Sequence, residues 1–568
     1  MDSCRVCGSG LRVRKSRTVT VTSLDIGIFR AHEIIRFCPT CGTNYGSEEL
    51  RSVKPSRSRF GYDVLVYVGR AMFGECRNEE DIQHHLKLKR IGISRREISY
   101  LAQKFVIYLS IAHRQSQREV KKLLGRNGGY ILHLDATCEG DSPHLMCGLD
   151  EITEIVLENT KLSSERVETI VPFLQEIKAL YGSPISTVHD MGKGICTAVH
   201  QVFPRTPDFI CHYHFLADIG KDLLGADNQR MRSRLRKHGI QGTLRKRARQ
   251  WSQSAWENPT LVQALLDCVQ KGHLPSCTDG LLPTLTAYTL VLWALAAKTD
   301  GDGYGFPFDR PSLSFYDRLL LLHSILTRLN DERRTHRGKD NKPYRTVLRD
   351  LLEVRDDASL RSTATAMREK AAVFDKLRDA MRLALPGGKN GLNDRGSRES
   401  MRSIERRVKV FYHSLCSDPA LRGKDIYRKM REQLHQYWEK LFCDPIVVQT
   451  PKGRRTIHPQ RTNNLMEQFF RFFKRMFRRK SGTRPLARTM RAMIADTPLV
   501  RNLGNPAYVK ILLNGKRSLE ERFAQIDEQL VRKEFQTVLT TSDRVPAKVK
   551  ELIKLPSLPE KLVALCAV

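Results

Sequence analysis

Short apolar runs separated by polar turns dominate the stretch 126–225 and predict an α/β fold there. Runs of strand length and of helical period follow one another along this stretch. In chain order we predict strands at 130–135, 145–149 and 152–158, a helix at 164–181, a strand at 185–190, a helix at 195–203, a strand at 209–212 and a helix at 215–224. This order predicts a mixed sheet with helices on both faces.

Helical periodicity dominates most of the remaining chain, so the 568 residues divide into several units. Between the α/β stretch and a late acidic helix, the pattern predicts long amphipathic helices and no strands, with loops at 299–311 and 386–397. We predict a zinc ribbon at 1–50, a helical DNA-binding domain at 58–125, the first part of an α/β core at 126–225, an α-helical insertion at 226–460, the final core helix at 461–500 and a helical tail at 501–568.

The predicted helical domain contains a helix, a glycine-containing turn and a longer helix. Ser94 and Glu97 have the spacing of a capping box, which marks the start of the longer helix. Arg95 and Arg96 fall in its first turn. This arrangement is typical of a helix-turn-helix, in which Arg95 and Arg96 would face a DNA groove. An ordinary helical bundle is the alternative interpretation.

Two Cys-x-x-Cys pairs lie in the first 50 residues, and a glycine follows each of them. They are Cys4 with Cys7 and Cys38 with Cys41. Four thiolates satisfy tetrahedral Zn²⁺, and intervening strand-like alternation completes the pattern of a zinc ribbon. Two unrelated cysteine pairs are the alternative. We expect a structural Zn²⁺ at these four residues.

Two acids end predicted strands of the α/β stretch, and a third opens a helix much later in the chain. Asp135 and Asp190 end strands, while Glu467 begins an aromatic, basic helix. Ligand sites gather at the carboxyl ends of strands in open α/β sheets. Carboxylates suit Mg²⁺, or Mn²⁺, and cysteines do not. These three acids are therefore our candidate catalytic metal site, with Glu432 and Glu439 as substitutes for the third.

Two histidines precede the strand-end acids: His133 lies two residues before Asp135, and His189 lies directly before Asp190. We expect both imidazoles to be buried behind the acids rather than to act as further ligands. The loop at 299–311 is acidic and glycine-rich, but it lacks the glutamate that a calcium loop requires at position 12. It is therefore not predicted to bind calcium.

The chain has 96 Lys and Arg against 62 Asp and Glu, a net charge of +34. Such an excess favours a polyanionic partner, and nucleic acid is favoured over a membrane surface. Arg471, Lys474 and Arg478 share the helical face of Glu467, where they would contact phosphates. No apolar run is long enough for a membrane span and no signal peptide is visible. We expect an intracellular protein of the cytoplasm or nucleoid.

The motifs "HLDAT" with Asp135, "VHDMGKGI" with Asp190, the Cys-x-x-His of Cys211 and His214, and "RTNNLMEQFF" with Glu467 together resemble those of a DDE transposase, nearest the Mutator-like and hAT-like branch. The resemblance implies a ribonuclease H-like catalytic core interrupted by a helical insertion. It implies a metal-binding triad of the three acids, with Cys211 and His214 as a structural element near the site. It also implies double-stranded DNA, transposon ends and target, as the partner, bound by a homodimer or higher oligomer.

Two other functions fit the same residues. A ribonuclease H-like nuclease would cut DNA without joining strands. A non-catalytic regulator would use the zinc ribbon and helix-turn-helix for DNA binding alone. The intact acid triad argues against this function, because the three acids would then have no role. The chain contains no Gly-x-x-x-x-Gly-Lys-Ser/Thr loop, so ATP is not an expected substrate.

Overall fold

The computed structural model describes residues 2–271, 282–334, 341–385, 401–442, 445–482, 485–541 and 547–565. The chain folds into two compact units. Unit 1 combines Met1–Phe209 with Pro445–Val568, and unit 2 is the continuous stretch Ile210–Asp444. The loop predicted at 386–397 lies outside the described residues.

The N-terminal part of unit 1 begins with a small antiparallel sheet in the order β1-β2-β3. Its strands are β1 (Arg12–Ser23), β2 (Gly27–Phe37) and β3 (Asn44–Tyr45). Five helices follow: α1 (Glu48–Val53), α2 (Tyr62–Gly69), which continues into a π-helical turn, α3 (Glu79–Leu88), α4 (Arg95–Gln115) and α5 (Gln117–Arg126). As predicted, Ser94 caps α4, and its hydroxyl accepts a hydrogen bond from the Glu97 amide at 3.2 Å.

The predicted α/β stretch is confirmed as a five-stranded mixed sheet in the order β6-β5-β4-β7-β8. Its elements are β4 (Ile131–Thr137), β5 (His144–Asp150), β6 (Val156–Leu162), α6 (Val167–Tyr181), β7 (Ser186–His189), α7 (Lys193–Val202) and β8 (Asp208–Ile210). β5 pairs antiparallel with both β4 and β6, whereas β7 runs parallel to β4. Each strand begins and ends within a few residues of its prediction.

Unit 2 is helical throughout its described residues. Its helices are α8 (His212–Lys237), α9 (Ile240–Glu257), α10 (Pro259–Lys271), α11 (Leu282–Ala296), α12 (Pro311–Arg334), α13 (Lys342–Asp356), α14 (Ala358–Ala380), α15 (Met401–Ser417), α16 (Pro419–Arg422), α17 (Asp425–Gln436) and α18 (Trp438–Leu441). α8 packs along α14, where Lys370 pairs with the buried Asp227 at 2.6 Å.

The chain returns to unit 1 through an antiparallel hairpin of β9 (Ile446–Thr450) and β10 (Gly453–Ile457). The predicted helical insertion ran to residue 460 and missed these strands. Helices complete the unit: α19 (Asn464–Ser481), α20 (Ala487–Ala492), a 3-10 helix (Thr497–Gly504), α21 (Pro506–Leu513), α22 (Leu519–Ala524), α23 (Glu528–Thr541), α24 (Ala547–Leu552) and α25 (Leu558–Leu565).

α4 is the central helix of unit 1, and most of its length is buried. It packs against α2 on one side and against α22 and α23 from the C-terminal part. Tyr108 of α4 donates a hydrogen bond to Glu528 at 2.7 Å, and Phe105 meets Phe523 edge to face. The N-terminal helices and the C-terminal helices thus share one core. Among the described residues, no helix is both long and apolar enough to cross a membrane.

Candidate functional site

Asp135 and Asp190 lie on the same face of the central sheet. The parallel pairing of β4 with β7 sets His133 beside Val188. Side chains alternate between the two faces of a strand, so the residues two positions further along, Asp135 and Asp190, project to one side. Both acids are half-buried. The strand pairing therefore brings together two acids that are 55 residues apart in the chain.

The electrostatics of Asp135 show that the third acid is close as well. Burial, and after it the negative charges of Asp190, Glu467 and Glu165, together raise the pKa of Asp135 to about 8. The amide of Ala136 acts in the opposite direction by donating a hydrogen bond to Asp135 at 2.8 Å. A carboxyl group surrounded by like charges favours a proton or a cation.

Glu467 reaches this face because α19 is attached to β4 at its first residues. Asn463, directly before α19, is fully buried. Its side-chain amide donates to the carbonyl of Leu134 at 2.9 Å, and its oxygen accepts from Nδ1 of His133 at 2.9 Å. The amide of Glu467 donates to the Asn463 carbonyl at 3.0 Å, which sets Glu467 one turn into the helix. Asn463 thus connects the third acid to the strand that carries the first.

His133 joins this attachment to the turn between β5 and β6. Its Nε2 lies 3.0 Å from the carboxylate of Glu151, which also accepts a hydrogen bond from the Gln460 amide at 3.1 Å. Both ring nitrogens of the fully buried His133 face oxygen atoms, one of Asn463 and one of Glu151. His133 is therefore occupied as a connector, in agreement with its predicted burial behind the acids.

His189 fixes the backbone of Asp190 in a similar way. Its Nδ1 donates to the carbonyl of Asp190 at 2.5 Å, and its Nε2 donates to Asp208 of β8 at 2.6 Å. Burial lowers the pKa of His189, but the hydrogen bonds and charges of Asp208 and Cys196 outweigh this effect and raise the pKa to about 10. His189 is fully buried and charged, so it too lies behind the acids.

Glu165 is a fourth acid near Asp135, and the backbone around it explains the glycine at position 194. A Cβ on Gly194, in the first turn of α7, would lie 2.0 Å from the Glu165 carbonyl oxygen. The "MGKG" segment after Asp190 therefore lets α7 approach the chain next to Glu165 without a steric clash.

The predicted phosphate-contacting residues of α19 differ in solvent exposure and in ion pairing. Arg471 is exposed and Lys474 is half-buried, whereas Arg478 donates to Glu139 at 3.1 Å. At the start of α4, Arg95 pairs with Glu80 at 2.9 Å and Arg96 is exposed. Arg471 and Arg96 are thus the more accessible cations of these two groups.

The four N-terminal cysteines converge at one point beside the small sheet. The sulfur atoms of Cys4 and Cys41 lie 3.5 Å apart, and those of Cys7 and Cys38 lie 3.4 Å apart. The hydroxyl of Tyr45 lies 3.1 Å from Cys4 and is the main reason that the pKa of Cys4 falls to about 6. Four sulfurs at this spacing could hold a metal ion such as zinc.

Within the described part of the chain, the cysteines are the one group of three or more potential ligands whose atoms all lie within 4.8 Å of one another. The carboxylates of Asp135, Asp190 and Glu467 are therefore more widely spaced than the four sulfurs. Two observations relate the three acids: Asp135 and Asp190 lie on one face of the sheet, and the charges of Asp190 and Glu467 act on Asp135.

The remaining candidates lie in unit 2. Cys211 is buried directly before α8, and His214 lies in the first turn of that helix. The alternatives to Glu467 are in α17 and α18, where Glu432 pairs with Arg428 at 3.7 Å. Unit 1 therefore contains all three acids of the predicted triad.

Roles for Glu151, Glu165 and Asp208 could not be predicted from the sequence, and Asn463 could be predicted only as a candidate helix cap. Their roles depend on contacts between distant segments, such as the bond between Asn463 and the backbone of residue 134. One signal was available, since Asn463 stands directly before the acidic helix, where a capping residue is expected. No protein-family model matches this chain, and a search of curated proteins found no match.

Proposed function

We propose that this chain is a metal-dependent DNA phosphoryl transferase of the DDE transposase type, with Asp135, Asp190 and Glu467 as its acids. The observation that carries the proposal is positional: the β4–β7 pairing sets Asp135 and Asp190 on one face of the sheet, and Asn463 attaches the helix of Glu467 to the strand of Asp135. Glu467 is 332 positions away from Asp135 in sequence, yet Asn463 ties its helix to the strand of Asp135. The mixed sheet and its element order support a ribonuclease H-like core.

The donor set fits hard divalent cations. Three carboxylates suit Mg²⁺ or Mn²⁺, which prefer oxygen ligands to sulfur. Bound ions would activate the attacking oxygen and stabilise the leaving oxygen of a phosphodiester. Asp135, Asp190 and Glu467 would hold the ions, and the hydrogen bonds of His133, His189 and Asn463 would keep the acids and their backbone in place.

The reaction we propose has two displacements. In the first, water attacks the phosphodiester at the transposon end and releases a 3′-hydroxyl. In the second, that hydroxyl attacks a target phosphodiester, so one phosphodiester bond forms as another breaks and no ATP is consumed. Exposed cations such as Arg471 and Arg96 would contact DNA phosphates. Because two ends must be joined, we propose a working complex of at least two copies.

Zinc is the proposed ion at the four cysteines. Their thiolates match its preference for tetrahedral sulfur ligands, and the site closes the ends of a small sheet. Its role would be structural, because the four sulfurs leave no ligand position for a substrate.

The test is cleavage of a plasmid that carries the DNA flanking the coding gene on both sides. In Mg²⁺ the purified chain should cut this plasmid and join the released ends to a target. Glu467→Gln should bind the same DNA but cut it at least 100-fold more slowly, because a ligand carboxylate is lost. Glu369→Gln, which removes an equal charge from an exposed acid of α14 in unit 2, is the matched control.

Each other outcome identifies a different function. Undiminished cleavage by Glu467→Gln would remove Glu467 from the site. Cleavage without joining would indicate a nuclease, and binding without cleavage by the unaltered chain would indicate a regulator.

A further inference from the structure

We propose that the β9–β10 hairpin is a separate DNA-contacting surface, which binds backbone phosphates of the duplex a few base pairs from the bond that is cut. This inference rests on the proposed function for the identity of the partner. The hairpin was assigned to the helical insertion on sequence grounds, and none of its residues had a predicted role.

The hairpin presents three cations in four consecutive positions. Lys452, Arg454 and Arg455 are all exposed, and within the described residues none of them takes part in an ion pair. The twelve residues from 446 to 457 contain no acid. By contrast, Arg478 of α19 already pairs with Glu139. The three hairpin cations are therefore available for an external anion.

The hairpin is firmly seated on the sheet. Val448 and Ile457 are buried, and they pack in one cluster with Ile131 and Val188. A Cβ on Gly128 would lie 2.5 Å from a methyl group of Val448. The backbone before β4 therefore packs so closely against Val448 that only glycine fits at position 128. Cations on such a base are held in position, which lowers the entropy that phosphate binding would cost.

The seat of the hairpin is on the same sheet face as the proposed metal site. Ile131 precedes Asp135 by four residues and Val188 precedes Asp190 by two, so their side chains share that face. Four residues of strand span about 13 Å, and the tip extends at most a similar distance beyond Val448. At 3.4 Å per base pair, the contacts would fall about four to eight base pairs from the cut.

The chemistry favours phosphate over other partners. The cations stand on a narrow two-stranded hairpin, and among its described residues Val447 is the one large apolar side chain that is exposed. A membrane or an apolar protein surface would therefore gain little from it. Each phosphate contact contributes about 0.9 to the slope of log affinity against log salt. Three contacts therefore correspond to a slope of about 2.7, which is about 40-fold in affinity between 50 and 200 mM salt.

The test compares two triple variants of the full-length, zinc-loaded chain. One is Lys452→Ala, Arg454→Ala, Arg455→Ala. The control is Arg245→Ala, Lys246→Ala, Arg249→Ala, which removes an equal charge from exposed, unpaired positions of α9. Binding to a labelled duplex of the flanking DNA is measured by anisotropy at several salt concentrations, with Ca²⁺ in place of Mg²⁺. We expect the slope to fall by about 2.7 in the hairpin variant and by less than 1 in the control.

A photo-crosslinking amino acid at position 452 then gives the position of the contact. The crosslink should lie about four to eight base pairs from the cut that the unaltered chain makes on the same DNA. An unchanged slope in the hairpin variant, or a crosslink more than about 12 base pairs away, overturns the proposal. If the unaltered chain does not cut but the slope still falls, the hairpin contact stands and the proposed chemistry fails.

Discussion

Replacing Asn463 with alanine should separate α19 from β4 and displace Glu467. The side chain makes two buried hydrogen bonds, to Leu134 and His133. Each contributes about 1 kcal/mol, and the carbonyl and imidazole left without partners in a buried site cost about 1 kcal/mol or more each. We therefore expect Asn463→Ala to destabilise the junction of α19 and β4 by about 4 kcal/mol or more.

Hydrogen exchange followed by mass spectrometry measures the destabilisation of this junction locally, because peptides from β4 and α19 each report the free energy of their own opening. Gln468→Ala is the control, since it truncates an exposed amide in the first turns of the same helix. All four tryptophans, at positions 251, 256, 293 and 438, belong to unit 2, so their fluorescence should not change. Protection of α19 within about 0.5 kcal/mol of the unaltered chain would refute the attachment that we describe.

Three further predictions concern other parts of unit 1. The pKa of Asp135, raised from 3.8 to about 8, means that the folded chain holds the proton more tightly than the unfolded chain. Without divalent ions, the free energy of unfolding should therefore fall by at most about 6 kcal/mol as pH rises from about 4 to about 8. In thermal melts, the Tm of Asp135→Asn should depend less on pH over that range than the Tm of the unaltered chain. Gly194→Ala should lower stability by about 2 kcal/mol or more through its clash with Glu165, whereas Gly125→Ala, in open space in α5, should raise it by up to about 1 kcal/mol. Cys38→Ser should release the zinc, which a colorimetric assay should detect as a loss of about one ion per chain. Residues 1–50 should then become protease-sensitive, while the tryptophan fluorescence of unit 2 stays constant.

The periodic parts of the chain were predictable because local pattern decides them. Strands β4 to β8 have apolar runs of strand length, and the four cysteines have ligand spacing, so both were predicted near their observed positions. The β9–β10 hairpin was missed because its five-residue strands are short, and its cation-rich turn resembles the basic helices before it. Asn463 and Glu151 could not be assigned, since their partners lie about 330 and 310 positions away.

The insertion of unit 2 between Asp190 and Glu467 also sets the order in which the site is completed during synthesis. The two aspartates leave the ribosome first, and 277 further residues must be made before Glu467 exists. At about 5 to 20 residues per second, this delay is about 14 to 55 seconds. Unit 2 is one continuous stretch, so it can fold within that interval, while unit 1 waits for its second half. A partly made chain therefore lacks the third acid of the proposed triad until most of the chain has been translated.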